Sequence, residues 1–338
     1  LKQVRFRMSA IFLLCMMVVL AGCGTKAPDT GGSAANGSDG KGAASPGSAS
    51  APAAKADEVR KIKHIMGETE IKGTPKRVVV LTNEGTEAVL ALGIKPVGAI
   101  QSWEGEPWHD HIKAEMDGVA VLGYEDQPNL EAIAQLNPDL ILGNKTRHEK
   151  IYEQLSKIAP TVFSEDLTGR WKINFNFYAD VLNKKAEGEK VMKEFDQRVA
   201  DAKAKLGPKL ASKVSIVKFS FKGTQLYKKD TFSGVLLEQL GFARPASQDK
   251  PEFAEMISQE KMDLMDGDIL FYWVSESKGK NDVSNKAKEW FDSPVFKNLN
   301  VAKNNKVFKV NETIWNTAGG IKAANLLLDD ILKRFEVN

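Results

Sequence analysis

The chain has 338 residues, with 47 lysines and arginines against 44 aspartates and glutamates, and a formal charge of +3. Three cations at its start, Lys2, Arg5 and Arg7, account for that excess, so composition makes no case for a nucleic-acid partner. The two cysteines, Cys15 and Cys23, lie there too, which leaves the sequence after residue 23 without a disulfide or a thiolate metal ligand.

Behind these cations, residues 8–20 form an apolar run, shorter than the ~20 residues a membrane-spanning helix needs. The run ends at Leu20-Ala21-Gly22-Cys23, and small residues at such a place mark the cleavage site of a secretory signal. The cysteine after Ala-Gly resembles a bacterial lipobox, which implies that residues 1–22 are removed and that Cys23 carries the lipid. Several acyl chains on one terminus anchor stably where one chain is marginal. Residues 24–57 are mostly Gly, Ala, Ser, Pro, Asp and Lys, with no apolar residue larger than alanine apart from proline. Such a segment buries too little to order itself, and as a flexible coil it reaches about 30 Å on average. The expected layout is an exported protein tethered to the outer face of a bacterial membrane.

From about residue 58 the pattern changes to strands alternating with helices. Arg77-Val78-Val79-Val80-Leu81 is a short β-branched run of the kind found in buried parallel strands. A turn at Thr82-Asn83-Glu84-Gly85 precedes a helical stretch from Thr86 to Leu92, stopped by Gly93. Pro96-Val97-Gly98-Ala99-Ile100 reads as a second strand, Asn129 to Leu136 as a helix, and Asp139-Leu140-Ile141-Leu142-Gly143 as a third strand. This alternation predicts an α/β fold with mainly parallel sheets.

Residues 171–206 then read as one long helix, with apolar positions at Phe175, Tyr178, Leu182, Val191, Phe195, Val199, Ala202 and Leu206. It would run about 50 Å, with Gly188 as its weak point and Gly207-Pro208 as its end. After it the scheme returns. Val214 to Phe219 is a strand and Phe232 to Leu240 a helix stopped by Gly241. Glu131 and Glu260 each open a helix, and each precedes by eight residues an aspartate, Asp139 or Asp268, that opens a strand. Two similar lobes, residues 58–168 and 208–338, joined by a helical segment over residues 169–207, are therefore expected.

This order of parts resembles the helix-hinged class of ABC-transporter substrate-binding lipoproteins, and within it the iron–siderophore and cobalamin binding family. The motifs that carry the resemblance span the whole body. They are Pro75-Lys76-Arg77-Val78-Val79, then Leu90-Ala91-Leu92-Gly93-Ile94-Lys95-Pro96-Val97-Gly98, then Asn129-Leu130-Glu131 with Ile133, Leu136 and Pro138-Asp139-Leu140-Ile141. Ile314-Trp315-Asn316-Thr317-Ala318-Gly319-Gly320 closes the set. Gly169-Arg170-Trp171 and Trp315-Asn316 resemble the hydroxamate and citrate-hydroxamate binders of Firmicutes.

The resemblance implies two Rossmann-like lobes and a monomeric receptor that passes a ferric siderophore to an ABC importer, with no cofactor and no catalysis. In such a ligand the chelator's oxygens saturate the iron. The protein then supplies no metal ligand, only aromatic walls and cationic or amide donors. Candidates for that inter-lobe face are Trp103, Arg147, Arg170, Trp171, Lys218, Tyr227, Trp273 and Trp315. Arg147 follows a strand, at the carboxyl edge where open α/β sheets bind ligands. Lys218 stands where relatives typically carry arginine, keeping the charge but not the planar fork. Carboxylates at helix starts gain from the helix dipole; in this family the matching glutamates, here Glu131 and Glu260, dock into the two permease subunits.

Rival chemistries are poorly served. His109 and His111 have the spacing of a zinc or manganese site, yet no carboxylate motif accompanies them or His64 and His148, and they are expected on an exposed loop. A different chelate, such as a catecholate, haem or cobalamin, would use the same fold. A cell-wall enzyme could cite Ser215 with Lys218 or Ser275 with Lys278, but the partner motifs such enzymes need are missing.

Overall fold

The computed structural model describes residues 58–277 and 279–337. The expected signal sequence, lipidated Cys23 and tether lie outside the described residues. Antiparallel strands β1 (Val59–His64) and β2 (Gly67–Lys72) come first. The buried β3 (Val78–Val80) leads into α1 (Asn83–Ala91). This helix starts ahead of the expected Thr86 because the Thr82 hydroxyl accepts the Gly85 N–H and caps it. Next come β4 (Gly98–Ala99), β5 (Ala120–Val121), β6 (Gly123–Tyr124), β7 (Gln127–Pro128), α2 (Leu130–Gln135), β8 (Leu140–Asn144), α3 (Lys145–His148), α4 (Tyr152–Ile158) and β9 (Thr161–Ser164). Five of these strands form one parallel sheet in the order β5-β4-β3-β8-β9.

The expected single helix over residues 171–206 is two helices, α5 (Trp171–Val181) and α6 (Lys185–Leu206). Asn183 takes a left-handed φ of 57°. The Lys184 N–H bonds the Ala179 carbonyl and the Asn183 N–H bonds the Asp180 carbonyl, the double closure that ends a helix at a left-handed residue. The hydrophobic period carried no sign of this stop, because Asn183 lies off the apolar face. The connecting helix is thus the 22-residue α6, about 33 Å long. Gly188 lets α6 press on α5, since a Cβ there would meet the Ala179 Cβ at 2.5 Å.

The second lobe holds β10 (Val214–Ser220), β11 (Gly223–Tyr227), α7 (Phe232–Leu240), β12 (Ala254–Ile257), β13 (Ile269–Ser275), α8 (Asp282–Asp292), α9 (Pro294–Lys297), α10 (Asn300–Lys303), β14 (Val307–Lys309) and α11 (Ile321–Arg334). Its sheet runs β12-β11-β10-β13-β14, with β10, β13 and β14 parallel and β11 and β12 antiparallel. The repeated aspartates have a structural role. Asp139 accepts the N–H groups of Lys76 and Arg77 just before β3, and Asp268 accepts that of Lys213 just before β10. The glutamates ahead of them are exposed, but Glu260 opens a 3-10 turn (Gln259–Met265) where an α-helix was expected.

One apolar cluster runs from Val78 and Val80 through Trp171, Phe175 and Tyr178, then Phe195 and Val199, to Ile216, Phe271, Trp315 and Leu327. It ties both sheets to α5, α6 and α11. His109 and His111 do not lie on an exposed loop. His109 is buried and stacks on His111, which bonds the buried Glu87. Glu87 in turn accepts the Ala323 N–H at the start of α11, so these residues fasten the last helix to the first lobe.

Candidate functional site

A cavity of about 640 Å³ opens between the lobes. Its first wall rises from the carboxyl ends of β3 and β8. The cap at Thr82 sets the first residues of α1, Asn83 and Glu84, on the lining. Glu84 is buried and accepts from the Asn174 amide at 2.7 Å. Burial pushes its carboxyl up to about 8 against the help of that bond, and the nearby Glu125 and Asp166 add to the rise.

Glu125 organises this wall. Its buried carboxylate accepts from the Asn83 amide at 2.9 Å, the Trp103 indole N–H at 3.1 Å and Arg147 Nε at 3.2 Å. Behind it, His148 Nδ1 accepts the Asn144 N–H. That leaves Nε2 to donate to the Glu125 carbonyl at 2.8 Å. Burial holds this imidazole neutral, down to about 4. The short α3 directly after β8 brings Arg147 to the cavity with 43% of its side chain exposed.

The second wall is the β10–β11 hairpin and the turn before α11. Lys218, within β10, puts its ammonium 3.3 Å from the buried Glu312 and keeps only 18% of its side chain exposed. Glu312 also accepts the Ser275 hydroxyl. Tyr227 lies edge-on to Trp273, ring centres 4.9 Å apart, and burial raises its hydroxyl's pKa. At the hairpin tip Phe221 is 80% exposed, with the Lys222 ammonium 5.7 Å from its ring centre. Glu104 crosses from the first lobe to accept the Thr313 hydroxyl at 2.6 Å. Burial, joined by neighbouring Glu312, raises its carboxyl above the usual range despite that bond.

Of the eight cleft residues expected from sequence, Trp103, Arg147, Trp171, Lys218 and Tyr227 line this cavity. Three do not. Trp315 is 0% exposed, packed on Phe271, with its N–H on Asp330. The closing motif instead presents Asn316, Thr317, Ala318 and Gly319 to the cavity, because a π-helical turn (Thr313–Thr317) sends the indole into the core. Trp273 is buried behind Tyr227. Arg170 stays outside, its guanidinium 2.5 Å from Glu165 and 3.5 Å from Asp166.

Asn83, Glu84, Glu125, Phe221 and Glu312, beyond the residues expected from sequence, also lie on the lining. The rule that singled out Arg147, a polar residue after a strand end, would also have found Asn83 and Glu84. Glu125 and Glu312 carry no local signal. Among the described residues, no group of three or more His, Cys, Asp or Glu side chains is placed to hold a metal ion.

The sequence profile of the family described as periplasmic binding protein matches residues 78–313. A probable siderophore-binding lipoprotein of Bacillus subtilis, YfiY, is 49% identical over 284 residues, covering 82% of this chain and 87% of that protein. The Fe(3+)-citrate-binding protein YfmC of the same organism is 32% identical over 330 residues, covering 97% and 95%. Among solved structures, Staphylococcus aureus SirA complexed with staphyloferrin B matches with a TM-score of 0.77 and 38% identity, over 82% of this chain and 99% of that one.

Proposed function

The chain belongs to the periplasmic binding protein family, and from that premise we propose that it captures a ferric siderophore outside the cell and delivers it to an ABC importer. The observation that carries this reading is the inter-lobe cavity of about 640 Å³, which combines aromatic rings with fixed donors from both lobes. A chelator that already saturates its iron asks for such a surface and for no metal ligand from the protein. The relative named as a siderophore-binding lipoprotein supports the assignment. The family is one of transporter substrate-binding proteins rather than enzymes.

Within this function Trp103, Arg147, Trp171, Lys218 and Tyr227 touch the chelate, whose type is hydroxamate or citrate-hydroxamate. Cys23 carries the lipid that holds the protein at the extracytoplasmic face of the membrane. Glu131 and Glu260, exposed on the two lobes, dock into the permease subunits. Iron-free protein should lose tryptophan fluorescence on adding a ferric hydroxamate or citrate-hydroxamate chelate. Binding of free metal, haem or cobalamin at micromolar levels without any ferric chelate would sink the assignment. Replacing both docking glutamates with alanine should leave chelate affinity intact and abolish uptake by cells; normal uptake would return them to a role in capping their own helices.

A further inference from the structure

We propose that Glu125 and Glu312 set the charge class of the ligand. One buried carboxylate in each lobe holds that lobe's cation and cancels its charge, so the cleft takes a ferric chelate of low net charge and disfavours a multiply anionic one. This rests on the siderophore reading of the same cavity and goes further, to which chelates it accepts.

The lining counts decide the sign. Five glutamates, Glu84, Glu104, Glu125, Glu276 and Glu312, face the cavity against three cations, Arg147, Lys218 and Lys222. Two of those cations are already engaged, Arg147 with Glu125 at 3.2 Å and Lys218 with Glu312 at 3.3 Å. Both carboxylates are buried, with side chains 4% and 8% exposed, so solvent screens the Lys218 pair poorly and reaches the Arg147 pair only from the arginine side, which is 43% exposed. An ion pair offers an incoming anion the field of a dipole, much weaker at ligand distance than that of a bare cation. Burial keeps Glu84 protonated at neutral pH, which leaves three carboxylates and Glu104 against three cations.

The same carboxylates act as positioning residues. Glu125 binds Arg147 through Nε, and the terminal nitrogens of that guanidinium have no hydrogen bond among the described residues. It also fixes the Trp103 indole and the Asn83 amide. The wall is therefore a set of pre-aimed donors with little net charge. Such a surface suits a chelate that offers neutral acceptor oxygens, and the surplus acids favour one that carries N–H or O–H donors of its own.

The test titrates tryptophan fluorescence of the full-length protein at pH 7 with three probes. They are a neutral ferric trihydroxamate, a singly anionic ferric citrate-dihydroxamate, and the multiply anionic ferric dicitrate. At least one of the first two should bind at least about tenfold more tightly than ferric dicitrate. In the isosteric double variant Glu125→Gln with Glu312→Gln, that ratio should shrink at least about tenfold, because the cations are uncovered while the indole and hydroxyl bonds keep an acceptor. Tightest binding of ferric dicitrate by the native protein, or an unchanged ratio in a folded double variant, overturns the proposal. If the variant does not fold, salt decides on the native protein. Affinity for the anionic ferric citrate-dihydroxamate that is nearly flat from low to high ionic strength supports paired cations, and a steep loss overturns them. Failure of all three chelates to bind would remove the hydroxamate and citrate-hydroxamate reading of the cavity, an outcome distinct from a wrong charge preference.

Discussion

Arg147 reaches the cleft from the end of a parallel strand, on the one-turn helix α3, whereas Lys218 reaches it from within strand β10. Both are held by a carboxylate, yet their freedom differs: 43% of the arginine side chain is exposed against 18% of the lysine. A guanidinium engaged through one nitrogen still has a planar fork to offer, while a partly buried ammonium on a carboxylate offers little more than balanced charge. The first lobe therefore supplies directional recognition. The second supplies shape, through Tyr227 and the exposed Phe221, and a neutralised charge behind it.

That contrast is sharpest in two truncations. Arg147→Ala should weaken chelate binding by about 2–5 kcal/mol, the usual loss when a charged partner is removed from a desolvated contact. Part of that loss comes from stranding Glu125, which keeps only the Asn83 and Trp103 donors. Lys218→Ala should cost less, about 1–2 kcal/mol, because Glu312 keeps the Ser275 hydroxyl and no fork is lost. Fluorescence titration of both variants with one ferric chelate gives the order. Equal losses, or a larger one at Lys218, would break the division of labour between the walls.

The lobes also differ in how they answer pH. All four histidines precede residue 149, so imidazole titration belongs to the first lobe. Burial holds His109 and His148 down to about 4, from an ordinary value of 6.5. Their contribution to stability is whole above pH 6.5 and is lost as pH falls towards 4, where the unfolded chain binds more protons. Glu84 works in the opposite sense. With its carboxyl up near 8 instead of 4.5, its contribution is whole below pH 4.5 and is lost as pH rises through 8. Glu84→Gln should therefore raise the melting temperature at pH 8, by roughly 2–4 °C for each kcal/mol recovered, and change it little at pH 5. A melting curve whose pH dependence is the same in native and variant protein would place the alkaline sensitivity elsewhere.

Elements with a strong apolar signature were legible in the sequence. β3, β8, β10 and α7 lie within a residue or two of where their β-branched runs and glycine stops put them. The repeated aspartates are visible as a spacing, but their role lies in the N–H groups that each accepts ahead of the neighbouring strand. Local pattern failed where the outcome is decided by distant residues. Asn183 stops a helix that periodicity alone would continue, and its side chain bonds Thr74, far away in the chain. Trp315 and Trp273 share the residue type of cavity walls, but one is turned inward by a π-helical turn and the other lies behind Tyr227. Glu125 and Glu312 looked like ordinary acids, because nothing near them in sequence reveals the cations they hold.

Arg170 provides the smallest expected effect and the cleanest control for the first wall. It stands beside Gly169 and Trp171, both on the lining, and belongs to a motif that resembles siderophore binders. Its guanidinium nevertheless pairs with Glu165 and Asp166 on the surface, with 42% of the side chain exposed. Solvent screens such a pair, and holding two long side chains together offsets most of its attraction, so its worth is under ~1 kcal/mol. Arg170→Ala should therefore change chelate affinity by less than about threefold and leave the melting temperature nearly unmoved. Arg147→Ala removes the same chemical group from the lining itself and should cost far more. If Arg170→Ala matched it, the ligand would have to draw Arg170 off its two acids, and the wall would extend past the rim that Gly169 now marks.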